Sequence, residues 1–136
     1  MVSEAVNFSG KHILIIDDKS PFVYSVAGAL KKEGCHVSVM DEENLREKIV
    51  RGDIIDLILV DEQMPKAELE GLVLATRQTA VPTPIAVMSS WEDVEYVSDL
   101  LENGAVDFID KQAGPSIFLR QIQMIFQQYD IKHVRE

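Results

Sequence analysis

His12-Ile13-Leu14-Ile15-Ile16-Asp17-Asp18 is an apolar run that stops at two acids. A second run, Leu57-Ile58-Leu59-Val60-Asp61, stops the same way. Short runs rich in β-branched residues read as strands of a parallel sheet, covered on both faces. In an open parallel sheet, ligands bind outside the carboxyl ends of the strands. With the first and third strands as neighbours, Asp17, Asp18 and Asp61 converge on one crevice. Clustered carboxylates repel each other, and a hard divalent cation is the usual counterweight.

Working outward from these runs, strand and helix signals alternate about five times. The first strand is expected over residues 11–17. Ser20 as N-cap and Pro21 at the first helical position open a helix. Phe22, Val26 and Leu30 recur there at helical spacing, and Gly34 suits the residue past its end. A short second strand over 36–40 carries Val37 and Val39 on one face. A weaker helix over 43–51 precedes Gly52. The third strand covers 57–61, and a loop through Pro65 leads to a helix over 69–78. Val81-Pro82-Thr83-Pro84 breaks the chain. A fourth strand over 85–88 ends at Ser89-Ser90. A helix over 92–102 buries Val94, Val97 and Leu101 and stops at Asn103-Gly104. The fifth strand covers 106–109, and Gly114-Pro115 precedes a last helix over 116–128. Residues 1–10 are expected to be a flexible segment, 11–128 one domain, and 129–136 a fraying tail.

Alternating strands and helices imply an α/β fold, a parallel sheet with helices on both faces and right-handed crossovers. For five strands the common order is 2-1-3-4-5, the flavodoxin-like arrangement. The chain has 136 residues, the size of one domain, and 46% hydrophobic residues, enough for a core. No apolar run approaches the roughly 20 residues of a membrane helix. The polar first ten residues lack the apolar stretch of a secretory signal. Cys35 is the single cysteine, so a cytoplasmic setting is expected. The net charge of -10 argues against a direct nucleic-acid surface. General acidity serves solubility, but it does not explain carboxylates gathered at strand ends.

Each strand end presents a polar group: Asp17 and Asp18, Asp61, Ser89, and Lys111 just past Phe108-Ile109-Asp110. Carboxylates, a hydroxyl and an ammonium around one point suit phosphoryl chemistry on a carboxylate. Each has a plainer reading. Asp17 can cap a helix, Asp61 can belong to a turn, Ser89 can be a loop hydroxyl with Ser90 as the working one, and Lys111 can be solvated. His12, His36 and His133 lack metal-ligand spacing and read as structural or solvated. Cys35 reads as a small half-buried residue.

Four stretches carry a resemblance to the receiver domains of bacterial two-component response regulators. They are Ile13-Leu14-Ile15-Ile16-Asp17-Asp18, Leu59-Val60-Asp61-Glu62-Gln63-Met64-Pro65, Pro84-Ile85-Ala86-Val87-Met88-Ser89 and Gly104-Ala105-Val106-Asp107-Phe108-Ile109-Asp110-Lys111. The resemblance spans about residues 11–126. It implies that Asp61 accepts a phosphoryl group from a histidine kinase or phosphotransfer protein. It implies Mg2+ held by Asp17 and Asp18, with Asp61 and the backbone carbonyl of Gln63. Ser89 matches the hydroxyl that moves to the phosphoryl group, Lys111 the lysine that pairs with it, and Phe108 the aromatic switch. On sequence evidence alone Phe108 reads more readily as core than as switch. The implied protein is a signalling switch and not an enzyme beyond assisting its own phosphorylation and dephosphorylation. Its partners would be the phosphodonor and a downstream effector protein or output domain, engaged through the helix over 92–102, the fifth strand and the last helix.

Three departures from the family pattern bear on the site. Lys66-Ala67-Glu68-Leu69 precedes Glu70-Gly71, about two residues longer than the usual turn. Gln112 stands where a proline after a cis bond is usual. A cis bond before a non-proline residue costs about 2.5–4 kcal/mol, so a trans Lys111-Gln112 bond is expected, with Lys111 reaching the site less well. Trp91 is placed to shield an acyl phosphate from water, or else simply to cover apolar surface.

The last helix has a broad apolar stripe. Phe118, Ile122, Ile125 and Tyr129 face one way, and Ile117, Leu119, Met124 and Phe126 spread beyond. Packing on the sheet explains most of it, and a phosphorylation-linked dimer is the other reading. Competing functions are a degenerate receiver acting as a phosphorylation-independent interaction module, a flavodoxin-like cofactor binder, and an aspartyl phosphatase. Asp17-Asp18 in place of a Ser/Thr/Gly-rich loop weighs against the flavin, and Gln63 in place of a second acid weighs against the phosphatase.

Overall fold

The computed structural model describes residues 8–16, 21–40, 42–51, 54–61, 64–78, 83–89, 95, 98–99, 102, 107–112 and 114–135. Its elements are β1 (His12–Ile16), α1 (Pro21–Lys32), β2 (His36–Met40), α2 (Glu42–Arg51), β3 (Leu57–Asp61), α3 (Lys66–Arg77), β4 (Ile85–Ser89), β5 (Asp107–Asp110) and α4 (Pro115–Arg135). All strand pairs are parallel, in the order β2-β1-β3-β4-β5. This is the α/β doubly wound sheet expected from the sequence. Of the helix expected over 92–102, Glu95, Ser98, Asp99 and Glu102 are described, and they are helical.

The pleat sorts the strand side chains into two cores, because successive residues point to opposite faces. Ile13, Ile15, Leu57, Leu59, Ala86, Met88 and Ile109 pack under α1 and α4, with Val23, Val26, Leu30, Phe118, Ile122, Ile125 and Phe126. Leu14, Ile16, Ile58, Val60, Ile85 and Val87 pack under α2 and α3, with Leu45, Ile49, Leu69, Leu72 and Val73. β1, β3 and β4 are therefore apolar at nearly every position, as strands covered on both faces must be. β2 is an edge strand and is only half-buried.

Several boundaries differ from expectation. α3 begins at Lys66, three residues early, because Pro65 itself serves as N-cap with φ -59 and ψ 143. Its carbonyl takes the N–H groups of Glu68 and Leu69 at 3.0 and 3.1 Å. The two extra residues after Pro65 are thus absorbed into helix, and Gly71 lies within it. α4 runs through Arg135, seven residues past the end expected at Gln128. No glycine or proline follows Pro115, so nothing in the sequence punctuates it.

The segment expected to be flexible also has an anchored end. Phe8 is only 9% exposed and meets the Phe126 ring edge-on at 5.9 Å. Its carbonyl accepts from Lys11 N–H at 3.1 Å, and Gly10 N–H donates to the Gly34 carbonyl at 3.0 Å. An aromatic residue at the base of the sheet is held there by burial.

Candidate functional site at the carboxyl ends of the strands

Parallel strands place all their carboxyl ends on one rim. β1 stops at Ile16, which pairs with Val60, so Asp17 and Asp61 each follow paired residues in sequence. Asp61 closes β3, and Met88 is its partner on β4. Ser89 closes β4 and pairs with Asp110, one residue before Lys111. Asp17, Asp18, Gln63 and Trp91 lie outside the described residues.

The sheet brings together Asp61, Ser89 and Lys111. The Lys111 ammonium donates to Asp61 Oδ1 as a salt bridge, with the two side chains 23% and 17% exposed. Ser89, on the strand between them, is 1% exposed. The Lys111 N–H donates to the Ser89 carbonyl at 2.8 Å, which extends the β4–β5 ladder by one residue. A turn follows at once, with Gln112 N–H donating to Asp110 Oδ1 at 2.8 Å. Gln121 Oε1 accepts from Asp110 N–H at 3.3 Å, tying the end of β5 to α4.

The Lys111-Gln112 peptide bond is trans, as expected. The expected consequence is corrected, because Lys111 reaches Asp61 without a following proline. The extended ladder and the Asp110 turn aim the side chain instead. On the other side of the rim, Met64 N–H donates to the Asp61 carbonyl at 3.0 Å, and Met64 is buried.

Phe108 is half-buried and packs with the core under α2 and α3. The pleat puts Asp61 on the opposite face, in phase with Leu57 and Leu59. One contact was not foreseen: the Lys111 Nζ lies 5.7 Å from the ring centroid of Phe22. Helical periodicity identifies Phe22 only as a core position. Its nearness to Asp18 in sequence was the available signal.

Two histidines and the cysteine lie away from this rim. His12 and His36 stack at the opposite end of the sheet, with centroids 4.7 Å apart. Cys35, just before β2, is buried there. Burial first, then the Glu33 and Asp56 charges, push its thiol up to about 11, against a smaller opposing effect of Lys11. Among the described residues, no group of three or more His, Cys, Asp or Glu is placed to hold a metal. Among them, too, no helix is long and apolar enough to cross a membrane.

Known proteins resemble this arrangement. The chain is 29% identical over 124 residues to a probable transcriptional regulator, ycf27, of Cyanidium caldarium, covering 91% of this chain and 49% of that protein. It is 27% identical over 123 residues to the phosphate regulon transcriptional regulatory protein PhoB of Pseudomonas aeruginosa, covering 88% and 53%. The chain thus spans about half the length of these relatives. A response regulator receiver domain protein from Methanospirillum hungatei shares its fold, with a TM-score of 0.74 and 23% identity, covering 91% of this chain and 99% of that one. The response regulator receiver domain family matches residues 13–123, from the second residue of β1 into α4, and the chain belongs to that family.

Proposed function

We propose that this receiver domain is a working phosphorylation switch with Asp61 as phosphoacceptor. The observation that carries the reading is the Lys111 ammonium seated on the Asp61 carboxylate, beside the buried Ser89. A carboxylate oxygen of Asp61 attacks the phosphorus of a phosphohistidine. The P–N bond breaks, a P–O bond forms, and the imidazole leaves. Lys111 then pairs with a phosphoryl oxygen, and the Ser89 hydroxyl donates to another.

Mg2+ fits this donor set. Asp61 is a half-buried carboxylate, and Asp17 and Asp18 follow the neighbouring strand. These three with the Gln63 carbonyl offer only hard oxygen donors, the kind such an ion takes. When bound, it would offset charge on the phosphoryl oxygens. Phe108 and the face formed by the segment before β5, β5 itself and α4 would carry the change to a partner. The donor would be a histidine kinase or phosphotransfer protein, and the recipient an effector protein or output domain.

The test is intact mass after incubation with acetyl phosphate and Mg2+, with Asp61→Asn alongside. One phosphoryl group on the wild type only is the expected result. No addition to folded wild type would favour a degenerate receiver that binds its partner without phosphorylation, the reading that Gln112 and the longer segment after Pro65 motivate.

A further inference from the structure

We infer that Phe22 is a positioning residue for the Lys111 ammonium, holding it on Asp61 through the π face of its ring. The functional consequence rests on Asp61 as the phosphoacceptor, while the contact itself does not.

Among the described residues, Lys111 Nζ meets two groups of complementary character. The Asp61 carboxylate accepts its hydrogen bond, and the Phe22 ring lies 5.7 Å away, within the range at which the negative ring face attracts a cation. A lysine side chain is long and flexible, and one salt bridge alone leaves its stem many rotamers. A second attractive surface narrows that choice. The ring itself is fixed, because Phe118 meets it edge-on at 5.8 Å with an interplanar angle of 71°. Phe118 is 3% exposed, so the support is anchored in the core. The ammonium is thus held by a chain of contacts from α4 through the first turn of α1 to Asp61.

Simple packing between α1 and α4 is the competing role for Phe22. The two roles differ in what they require of the side chain. Packing tolerates another apolar residue of similar bulk, whereas holding a cation needs the quadrupole. In phosphoryl transfer, the ammonium must keep its place while its partner changes from a carboxylate to a phosphoryl oxygen. The ring stays put through that exchange, so it shortens the search for the new partner.

The test reads Lys111 directly, in the full chain, before any phosphorylation. The ε-CH2 protons of Lys111 should show an upfield ring-current shift in a 1H–13C spectrum. Phe22→Leu should remove it and Phe22→Trp should keep it. With acetyl phosphate and Mg2+, Phe22→Leu should be phosphorylated roughly three- to tenfold more slowly. Phe22→Trp should stay within about twofold of wild type. Pentafluorophenylalanine at position 22 keeps the ring shape and reverses its quadrupole, so it should slow the reaction as leucine does even if leucine weakens the fold. A Lys111 shift that ignores Phe22→Leu would overturn the inference, as would equal rates for the fluorinated and natural rings. A chain that takes no phosphoryl group, yet loses the shift in Phe22→Leu, would retire the phosphoacceptor reading and leave the lysine contact standing.

Discussion

Lys111 and Asp61 form a salt bridge although their strands are not neighbours: β4, ending in the buried Ser89, lies between them. The bridge spans a strand because Lys111 sits one residue beyond β5, where its side chain can reach back over the rim. Both side chains are mostly shielded from water, so the pair should couple more strongly than a surface pair. A double-mutant cycle with Asp61→Asn and Lys111→Met is expected to give a coupling of about 1 kcal/mol in urea denaturation. Additive single effects would mean that the bridge does not hold in solution.

Phe8 should matter to stability far more than its place near the chain start implies. It is buried, and it stacks edge-on with Phe126, which is 2% exposed. Removing a buried phenyl ring costs transfer free energy and leaves a cavity. Phe8→Ala should therefore lose about 3 kcal/mol, at the lower end of buried phenylalanine truncations. A change within about 0.5 kcal/mol, the size of a surface substitution, would show that the ring is not docked.

These two results separate what was legible in the chain from what was not. Ile13 to Ile16 and Leu57 to Val60 could be read as sheet interior, because only a strand covered on both faces is apolar at every position. Asp61, Ser89 and Lys111 could be placed on one rim, because parallel strands share a carboxyl end. Phe8 was missed because a lone aromatic before a strand has no periodicity. The start of α3 is not legible in the sequence, because the fixed φ of Pro65 suits an N-cap as well as a turn. The reach of Lys111 is not legible in the sequence, because the Ser89 and Asp110 bonds beside it are backbone geometry, invisible in a string of residues. Phe22 beside Lys111 joins the start of α1 to the end of β5, a contact no local pattern encodes.

Two glycines with positive φ should differ sharply when replaced by alanine. Gly34 ends α1 in a Schellman motif: Gly34 N–H donates to the Lys31 carbonyl at 3.0 Å and Cys35 N–H to the Leu30 carbonyl at 3.1 Å. Its φ is +94, and an added Cβ would lie 3.1 Å from the Ser9 Cα. Gly10 has φ +81, but an added Cβ there meets nothing within 4 Å. Gly10→Ala should cost only the left-handed backbone term, about 1–2 kcal/mol. Gly34→Ala should cost more, because it also pushes against the backbone of the segment that holds Phe8. Equal losses would mean that the 8–10 segment moves away freely.

Cys35 supplies a pH dependence whose sign follows from its surroundings. Its thiol is raised from 9.0 to about 11, chiefly by burial and then by the charges of Glu33 and Asp56. Its Sγ also lies 3.5 Å from the Phe8 carbonyl, placed for a weak hydrogen bond. The folded chain therefore holds the proton more tightly than the unfolded one. Below pH 9.0 both states are protonated and the full stability is present. As pH rises from 9.0 to about 11 the unfolded thiol ionises first, so stability is lost across that window. The comparison is with Cys35→Ala, which isolates the contribution of the thiol. The wild type should lose urea stability more steeply than the variant between those limits, and its thiol should react slowly with a disulfide reagent near neutral pH until the chain unfolds. Parallel pH slopes for the two proteins, or rapid reaction of the folded thiol, would place Cys35 in a wetter site than the base of the sheet provides.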